Sequence, residues 1–468
     1  MIPFDAFLLP SGCERPTEHE TTELFTGVYV RYPILGTDEC TCLLNGLEDA
    51  GVALGQVPAR VLSRSIGRVA DRFLDHADPL REKALKMLAS TAGISPQMAS
   101  SVLAGMARDW TRERLDELLD REFGNADVLD AFQPRDGGRL VRVKGPLVSF
   151  HVGSGTVPGV SVTSMIRALL VKSAVLLKPG WGDIALPVLF AQALGEELAE
   201  LADAIAVVYW PGGESELEAI ALGRAPVVVA YGGDKAIRSL RARTPITTRL
   251  LTYTHRVAVG IVGRGALGAD HGIGVARRAA RAVSMFDQRG CVSPHVLYVE
   301  EGGKVEPAEW ARVLWDALAD LEVEIPVGQL RSGEASAVHQ MRGMAEVKEA
   351  SGAGTRVFHE TPGFATVIFE PELDFTVSCL SRVVYVKPIR NLEVVPEVLD
   401  GVKQHLQTVA LEGLGPRRKI LAEMLGQMGV TRITSFEKAP WPPPWWHHDG
   451  SSVLANMVRW IDLEGEGD

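Results

Sequence analysis

The cysteine at position 291 lies in a loop whose residue types suit a reacting group. Gly290 precedes it and Pro294 follows three residues later, so the segment MFDQRGCVSPHVLYVEEGG (285–303) is expected to turn sharply between a helix pattern and an apolar strand pattern. Functional side chains often lie at such junctions. A thiol there can act as a nucleophile once it ionises, whereas most free cysteines are small buried hydrophobic residues. Position alone leaves both interpretations open.

Three glycine-rich loops form a second set of candidates. KPGWGD (178–183), PGGES (211–215) and YGGDK (231–235) each follow an apolar run and precede a helix pattern. Glycines let backbone N–H groups approach a phosphate, and the N-terminus of a following helix favours its negative charge. The sequence therefore predicts a nucleotide site in these loops. It contains no GxGxxG motif, and tight turns without a ligand would have the same composition.

The elements that must position these loops alternate along the chain. Apolar residues at i, i+3, i+4, i+7 and i+8 from Val162 predict a helix that packs on a sheet. Further elements are predicted as a helix at about 187–202, a strand at 204–210, a helix at 214–222, a strand at 226–231 and a helix from Asp234, its expected N-cap. Such alternation indicates a doubly wound parallel sheet covered on both faces, with ligands at the carboxyl ends of its strands.

The composition is that of a globular protein with an excess of acidic side chains. Of 468 residues, 46% are hydrophobic, and 48 Lys and Arg against 59 Asp and Glu give a net charge of −11. This charge argues against a nucleic-acid or anionic-membrane surface. The five cysteines are scattered without CxxC pairs, so we expect a reducing cytoplasm and no metal site. We also expect no signal peptide and no membrane span.

The order of these motifs resembles that of the LuxC-type acyl-CoA reductases, members of the aldehyde dehydrogenase superfamily. The matching segments run from about His151 to Leu463 and are HVGSGTVPG, LLKP, WPGGESELEAI, VVVAYGGDKAIRSLRA, HRVAVGIVG, FDQRGCVSPHVLYVEEG, SRVVYVKPI and WWHHDGSSVLANMVRWIDLE. The resemblance implies an α/β, aldehyde dehydrogenase-like fold with a doubly wound Rossmann-type cofactor domain and a second α/β catalytic domain, the active site lying in the cleft between them.

The expected domain boundaries follow from this resemblance. An N-terminal region and the NAD(P)-binding domain occupy 1–257, with the Rossmann-type core at 147–257. The catalytic domain with the nucleophilic cysteine occupies 258–440. A tail over 441–468 is expected to serve as a packing or oligomer-contact segment.

The resemblance also implies roles for individual residues. Cys291 falls where the family has the nucleophile that takes the acyl group as a thioester, and Lys178 falls where the superfamily has a lysine that holds the adenosine ribose. The other cofactor-binding candidates lie in the same glycine-rich loops and are Pro179, Gly180, Trp181, Gly212, Gly213, Gly232, Gly233 and Asp234. The implied activity is reduction of a fatty acyl-CoA thioester to the aldehyde.

Several positions depart from the family pattern. Thr156 stands where many relatives have an asparagine that polarises the reacting carbonyl, which leaves a hydroxyl as the donor. The glutamate that activates water in hydrolytic aldehyde dehydrogenases corresponds to Ala258 in VAVGIVG, so hydrolysis should be slow. His255, in TYTHRVAV, is a candidate proton donor to the leaving thiolate, although a histidine in an apolar strand is more often structural.

The cofactor preference depends on the residues that follow Lys178. NAD-using relatives carry an acidic residue a few positions later that repels a 2′-phosphate, whereas here Gly180, Trp181 and Gly182 intervene before Asp183. We therefore expect NADPH rather than NADH. Asp183 is equally explained as the N-cap of the next helix.

The donor of the acyl group is expected to be acyl-CoA or an acyl-carrier or acyl-protein thioester, with an acyl-protein synthetase as a candidate partner and a homo-oligomeric assembly. Two alternatives remain: a hydrolytic NAD(P)-dependent aldehyde dehydrogenase, and an acyl-transfer or catalytically silent family member. The missing glutamate disfavours the first, and the retained GCVSP segment disfavours the second.

Overall fold

The computed structural model describes residues 3–135, 138–213, 215–361 and 363–464, which form two compact units. Unit 1 is built from Met1–Gly93, Ala99–Thr254 and Pro443–Asp468, and unit 2 from Ile94–Met98 and His255–Pro442, as far as these ranges are described. The expected functional boundaries after 257 and 440 stay predictions, because compactness alone does not assign a function to either unit.

The described residues contain helices and strands in the following order. The helices are α1 (Thr37–Leu54), α2 (Ala59–Leu74), α3 (Pro79–Ala92), α4 (Pro96–Asp109), α5 (Arg112–Phe123), α6 (Val160–Leu170), α7 (Ala185–Glu197), α8 (Ala199–Asp203), α9 (Glu216–Arg224), α10 (Asp234–Arg243), α11 (Ala269–Ser284), α12 (Pro307–Glu324), α13 (Ser332–Ala350), α14 (Val395–Leu399) and α15 (Arg417–Gln427). The strands are β1 (Phe4–Asp5), β2 (Phe7–Leu8), β3 (His19–Phe25), β4 (Val28–Pro33), β5 (Gln133–Pro134), β6 (Leu140–Lys144), β7 (Val148–Val152), β8 (Ala174–Lys178), β9 (Ile205–Val208), β10 (Val227–Tyr231), β11 (Arg249–Tyr253), β12 (Val257–Val262), β13 (Pro294–Glu300), β14 (Arg356–His359), β15 (Thr366–Phe369), β16 (Val383–Ile389), β17 (Leu406–Glu412), β18 (Arg432–Thr434) and β19 (Arg459–Leu463).

Unit 1 is organised around a sheet with the strand order β11-β10-β7-β8-β9-β2. The pairs from β11 to β9 are parallel, and only β2 joins antiparallel, at the edge. Every residue of β8 and β9 is buried, as the nearly continuous apolar runs predict for a sheet covered on both faces. The predicted doubly wound parallel sheet is therefore confirmed. Two smaller sheets, β1-β4-β3 and β19-β6-β5, complete the strands of this unit.

The tail joins unit 1 through strand pairing. β19 pairs antiparallel with β6, from Arg459 opposite Lys144 to Leu463 opposite Leu140. The Glu122 carboxylate accepts hydrogen bonds from the Val453 and Ala455 N–H groups, at 2.9 and 3.0 Å. The described part of the tail, up to residue 464, is thus part of the fold of unit 1.

Unit 2 has one larger sheet with the strand order β14-β15-β16-β13-β12-β17-β18. Its pairs are parallel except for β14 with β15. β12 and β13 are buried throughout and lie at the centre, and their apolar side chains contribute to a core that also contains Leu421 and Leu425 of α15. The carboxyl end of α11 leads through a 3-10 turn (Met285–Gln288) into the loop before β13, which is the loop that contains Cys291.

Three details of the predicted elements are wrong. The N-cap of α10 is Gly233, and Asp234 is the first helical residue, so its carboxylate lies in the first turn instead of capping it. His255 lies outside the strands, in the exposed connection from β11 to β12. The helix predicted at about 187–202 is divided at Leu198 into α7 and α8.

Candidate functional site

Cys291 lies in the loop between the 3-10 turn and β13, as the turn pattern predicts. Its side chain is half-buried and takes no part in a disulfide. The Ser293 N–H donates a hydrogen bond to the Gly290 carbonyl, at 3.0 Å, and this bond closes the turn around the cysteine. The thiol is therefore held in a defined loop and keeps partial access to solvent.

The backbone immediately before Cys291 is left-handed over three residues, none of which is glycine. Phe286, Asp287 and Gln288 have φ values of 57°, 49° and 64°. This conformation costs about 1–2 kcal/mol per residue that carries a side chain, so other contacts must hold it. A second run of the same kind occurs at 380–382, with φ values of 68°, 54° and 64°.

A buried ion pair joins the two left-handed runs. The Arg382 guanidinium donates to the Asp287 carboxylate at 2.8 Å, and both side chains have no exposed surface. Arg382 also donates to the Ile325 carbonyl at 2.7 Å, and Asp287 accepts from the Gly328 N–H at 3.1 Å. We call this pair the Asp287–Arg382 clamp.

Gln288 reinforces the clamp from the adjacent position. Its side-chain amide donates to the Pro294 and Val383 carbonyls, both at 2.9 Å. These carbonyls belong to the first residues of β13 and β16, which are neighbouring strands of the sheet. The turn before Cys291 is therefore attached to two strands of the sheet, β13 and β16.

The Arg432 guanidinium interacts electrostatically with Cys291 within unit 2. Burial lowers the pKa of the Arg432 guanidinium to about 10, and the nearby Cys291 thiol opposes that shift. Arg432 donates to the Ala439 and Lys438 carbonyls, at 2.7 and 2.5 Å, so its position is fixed. A fixed positive charge beside a thiol favours the thiolate form. Arg432 was not predicted, because it is 141 positions away in the sequence.

Two histidines lie near each other beside this loop. His295 is buried at the second position of β13, and its Nδ1 accepts a hydrogen bond from the Ser378 N–H at 3.2 Å. Burial, together with the charge of His255, lowers the pKa of His295 to about 4. The predicted candidate His255 is exposed, and its carbonyl accepts from His405 Nδ1 at 3.3 Å. His295 lies in the same sequence segment as Cys291, but residue spacing does not show that it is buried or that His255 lies near it.

In unit 1, Lys178 is the last residue of β8 and is buried, which lowers its pKa. Its Nζ lies 3.4 Å from Glu218 Oε2 and 5.5 Å from the centre of the Trp210 ring. Glu218, from α9, also accepts from the Arg243 guanidinium. An acidic group therefore does stand beside Lys178, contrary to the expectation of a non-acidic surrounding. It arises from a helix 40 positions later, which sequence proximity does not reveal.

The loop after Lys178 packs against the loop that contains Thr156. A Cβ at Gly180 would stand 2.3 Å from the Ser154 carbonyl oxygen, and one at Gly182 would stand 2.5 Å from the Gly155 carbonyl oxygen. Both glycines are therefore needed for the close approach of two backbones. Thr156 is exposed, and its hydroxyl lies 3.3 Å from the Ser154 hydroxyl.

The neighbours of Gly180 are held by packing. Pro179 is buried, and Trp181 is half-buried with its ring stacked on Tyr209 at a centroid distance of 4.8 Å. Trp181 also packs against a small cluster that includes Val30 and Ile184. The indole thus has a packing role in unit 1.

Asp183 caps a helix, but not the one expected. Its two carboxylate oxygens accept from the Gly159 and Ser161 N–H groups, at 2.9 and 2.8 Å, which lie at the start of α6. The following helix, α7, receives no side-chain cap. Burial raises the pKa of Asp183 to about 7, although the hydrogen bonds from the two backbone N–H groups act in the opposite direction. The assignment of Asp183 to the next helix is therefore wrong.

The remaining glycines of the predicted nucleotide site are open to solvent or lie at a helix start. A Cβ at Gly212, Gly213 or Gly233 would meet no atom within 4 Å, and Gly213 has a φ of 138°. Gly232 and Gly233 immediately precede Asp234 and the first turn of α10, whose N–H groups are available to an anion. Glu214, which belongs to the same predicted loop, lies outside the described residues.

The tail places aromatic rings over the ends of two strands of unit 1. His448 stacks on Tyr253 at 4.2 Å and on Trp446 at 4.6 Å, and Tyr253 stacks on Tyr231 at 4.7 Å. Tyr231 and Tyr253 are the last residues of β10 and β11.

Ala258, the expected counterpart of the hydrolytic glutamate, lies fully buried in β12 between β13 and β17. A side chain there is enclosed in the core of unit 2. The correspondence with the hydrolytic glutamate stays a prediction.

The described residues contain neither a metal site nor a membrane-spanning helix. Across the described ranges, no group of three or more His, Cys, Asp or Glu side chains is arranged to hold a metal ion. Likewise, none of the helices in the described part of the chain combines the length and the apolar character needed to cross a bilayer.

Comparisons with curated proteins gave relatives of one kind. The chain is 22% identical to the long-chain acyl-protein thioester reductase of Photobacterium phosphoreum, over 98% of this chain and 91% of that protein. It is 25% identical to the long-chain acyl-protein thioester reductase of Aliivibrio fischeri, over 85% and 80% of the two chains.

Comparisons with solved structures gave aldehyde dehydrogenases. The aldehyde dehydrogenase KauB from Pseudomonas aeruginosa matches with a TM-score of 0.76 at 13% identity, over 99% of this chain and 97% of that chain. A mutant of aldehyde dehydrogenase C from Pseudomonas syringae, in complex with NAD+ and octanal, matches with a TM-score of 0.74 at 12% identity, over 99% and 98%. These likenesses confirm the aldehyde dehydrogenase-like α/β fold.

The family model for acyl-CoA reductase (LuxC) matches residues 61–460, which is most of the chain. This match includes the loop of Cys291, the strand end at Lys178 and the glycine-rich loops described above. The chain belongs to the acyl-CoA reductase (LuxC) family.

Proposed function

We propose that the protein reduces a long-chain acyl thioester to the aldehyde through an acyl-cysteine intermediate on Cys291. The observation that carries the proposal is the half-buried thiol on a clamped turn, beside the fixed charge of Arg432, in a chain of the acyl-CoA reductase family. A thiolate there exchanges with a thioester nearly without loss of free energy, which keeps the acyl group activated.

The chain's own residues account for the acyl-transfer step. Cys291 Sγ attacks the carbonyl carbon of the donor thioester, the bond from that carbon to the donor sulfur breaks, and the donor leaves as a thiolate that takes a proton. After reduction, the bond from carbon to Cys291 Sγ breaks, which releases the aldehyde and restores the thiolate. We propose Thr156 and the Cys291 N–H as donors to the carbonyl oxygen and His255 as the proton donor to the leaving thiolate.

A dinucleotide fits the residues of unit 1. Gly212, Gly213 and Gly233 leave open space where a side chain would stand, and the first turn of α10 offers backbone N–H groups. When bound, the nicotinamide cofactor supplies the hydride that reduces the acyl group. We propose that Lys178 holds the adenosine ribose and that Pro179, Gly180, Trp181, Gly232 and Asp234 complete the site. NADPH is the proposed cofactor even with Glu218 beside Lys178, because the Glu218 carboxylate is paired with both Lys178 and Arg243 and its charge is balanced.

The acyl donor is proposed from the relatives. The curated relatives are named as acyl-protein thioester reductases, so a protein-bound acyl group is a proposed donor alongside acyl-CoA. An acyl-protein synthetase, a homo-oligomeric state and a cytoplasmic location belong to the same proposal.

The test is to trap the acyl group before reduction. Mixing the protein with radiolabelled long-chain acyl-CoA in the absence of cofactor should give a hydroxylamine-sensitive adduct on the peptide that contains Cys291, and NADPH should release the label. Cys291→Ser should abolish the adduct, because a serine hydroxyl stays protonated near neutral pH without a strong base beside it.

The matched control is Cys379→Ser, in the same unit. Cys379 is half-buried like Cys291, but burial raises the pKa of its thiol to about 11, so it should remain protonated and unreactive. This variant should keep full labelling. An adduct on Cys379, or full aldehyde formation by Cys291→Ser, would refute the proposed role of Cys291.

A further inference from the structure

Unit 1 contains a cavity of about 210 Å³ at the end of β8 that lies opposite Lys178. Its walls come from the last turns of α1, from the connection between β6 and β7, and from the connection between α6 and β8. A Cβ at Gly51 would stand 2.1 Å from the Leu147 carbonyl oxygen. One at Gly145 would stand 2.1 Å from the Val171 carbonyl oxygen. These close backbone contacts fix the shape of the cavity, which we call the amino-end cavity because it precedes β7 and β8.

The charged residues of its described lining are all cations: Arg142, Lys144 and Lys172. Lys172 is buried and has a φ of 60°, a conformation that costs free energy in a residue with a side chain. Its Nζ lies 2.5 Å from Asp130 Oδ1 and donates to the Gly55 carbonyl at 3.3 Å. The charge of Lys172 is therefore balanced, whereas Arg142 and Lys144 have no carboxylate partner among the described residues.

Arg142 also has a buried donor that is not used. Its Nη2 donates to the Asp130 carbonyl at 2.9 Å, but its buried Nε has no hydrogen-bond partner in the described part of the chain. A buried donor without an acceptor is costly, so an acceptor supplied by a ligand would stabilise it. Lys144 brings three further N–H donors to the lining.

The strand pairing beside the cavity adds to the excess of positive charge. Lys144 on β6 stands directly opposite Arg459 on β19, and Arg142, two residues before Lys144, lies on the same face. Like charges at directly opposite positions of an antiparallel pair destabilise it. Arg459, like its two neighbours, has no described carboxylate partner. Three cations thus share one face of these strands, which is unfavourable unless an anion binds there.

We propose that the amino-end cavity binds a phosphate group, held by Arg142 and Lys144. A phosphate monoester carries close to two negative charges near neutral pH, which matches the two unpaired cations of the lining, and its oxygens accept hydrogen bonds strongly. The cavity has the volume of about seven water molecules, which is room for a phosphate and a few carbon atoms. The site is independent of the proposed function, since it lies at the other end of β8 from Lys178.

The lining also distinguishes between kinds of anion. A carboxylate has a single negative charge and two oxygens, so it would leave one of the two unpaired cations unbalanced. Val52 and Leu147 belong to the lining and are about half exposed, so they offer apolar surface that a short aliphatic group would cover. The phosphate therefore has two possible sources, the free ion and a small organic monoester, which share the same recognition by the cations.

The experiment measures binding to the full chain, without turnover. Calorimetric titration and thermal unfolding are carried out with inorganic phosphate, ethyl phosphate and acetate, each against sodium chloride of equal ionic strength. At ten times its dissociation constant, phosphate should raise the melting temperature by about 2–5 °C, because it binds only the folded protein. Arg142→Gln should raise the dissociation constant of phosphate about tenfold or more, as expected for a charged hydrogen bond.

Two further variants separate the phosphate contact from general damage. Arg139→Gln makes the same change three residues before Arg142, but Arg139 lies outside the lining, 3.9 Å from Asp462, so phosphate binding should not change. Lys144→Gln replaces an exposed side chain that has no described partner, so it should fold even if Arg142→Gln does not. In chloride alone it should raise the melting temperature by about 1 °C, because it removes one of two opposed charges, and it should weaken phosphate binding about threefold.

Three outcomes would overturn the phosphate site. They are equal melting temperatures in phosphate and chloride, an equal effect of acetate, and phosphate binding that survives both Arg142→Gln and Lys144→Gln, since the ion would then bind elsewhere, for example at the glycine-rich loops. Tighter binding of ethyl phosphate than of inorganic phosphate would support the site and assign it to an organic monoester, whereas the reverse order would support it as a site for the free ion. None of these outcomes bears on the labelling of Cys291.

Discussion

Replacement of Asp287 by asparagine tests whether the Asp287–Arg382 clamp holds the turn before Cys291. The Arg382 side chain has no exposed surface, and the substitution removes its negatively charged partner. It also places an amide where two carboxylate oxygens now accept, from Arg382 at 2.8 Å and from the Gly328 N–H at 3.1 Å. One of these two bonds must be lost, because an amide has a single acceptor oxygen.

The expected cost is large because the charge that remains is buried. Removal of one partner from a buried ion pair typically destabilises a protein by about 3–5 kcal/mol. The three left-handed residues at 286–288 add to the effect. Their conformation costs about 1–2 kcal/mol per residue, and the clamp no longer offsets that cost. We therefore expect Asp287→Asn to lower the free energy of unfolding by about 3 kcal/mol or more.

The assay is urea denaturation followed by circular dichroism, with alkylation of Cys291 by iodoacetamide as a local measurement. Asp316→Asn, in the exposed pair of Arg312 and Asp316 at 3.2 Å, is the matched control and should cost about 0.5 kcal/mol or less. The double variant Asp287→Asn/Arg382→Gln should recover part of the loss, because it removes the unpaired charge. A cost below about 1 kcal/mol for Asp287→Asn, with an unchanged alkylation rate, would refute this account of the turn.

Three further predictions concern single residues. Asp183→Asn should flatten the pH dependence of the melting temperature: the folded-state pKa of about 7 lies above the unfolded value of 3.8, so the stability that Asp183 contributes at low pH is lost as pH rises between these values. His295→Asn should lower the pH at which acid unfolds the protein. The pKa of His295 is about 4 in the folded state and 6.5 in the unfolded state, so the stability that is present above pH 6.5 is lost as pH falls towards 4, and the asparagine oxygen can still accept the Ser378 N–H. An unchanged midpoint of acid unfolding would contradict this. Gly180→Ala should lower the melting temperature by several degrees because its Cβ would stand 2.3 Å from a carbonyl oxygen, whereas Gly233→Ala should leave it unchanged and weaken only nucleotide binding, as calorimetry would detect.

The alternation of elements in unit 1 was predictable from the sequence because each signal is local. The stripe that starts at Val162 specifies α6, and the apolar runs before Lys178 and Tyr231 specify β8 and β10. Burial on both faces of a parallel sheet makes such strands apolar at nearly every position, so they are recognisable without any alignment. The sequence thus predicts a helix or strand wherever the apolar pattern lies within that single element.

The side chains around the candidate sites were less predictable because they are brought together by tertiary structure. Glu218 reaches Lys178 from helix α9, and Arg432, which interacts electrostatically with Cys291, lies on the distant strand β18. Asp183 caps the helix behind it, although its position before α7 indicated the helix ahead. A capping pattern identifies a suitable side chain but does not fix which free N–H groups it will meet.

The left-handed runs were also beyond prediction from residue types. Glycine and asparagine are the usual signals for this conformation, yet the sequence has Phe286, Asp287 and Gln288 in one run. The buried partners of Asp287 and Gln288, together with the Trp441 ring against Phe286, hold the three residues in this conformation. Tertiary contacts override the local preference in this case.

The cap that Asp183 provides for α6 links two loops mechanically. Its carboxylate holds the Gly159 and Ser161 N–H groups, while its own backbone continues the loop that begins at Lys178. A ligand that displaces this loop would therefore pull on the start of α6 and on the neighbouring loop of Thr156, without touching either. The amide protons of Gly159 and Ser161 should exchange slowly while Asp183 accepts from them and faster once it moves, so their exchange rates would report movement of the loop after Lys178.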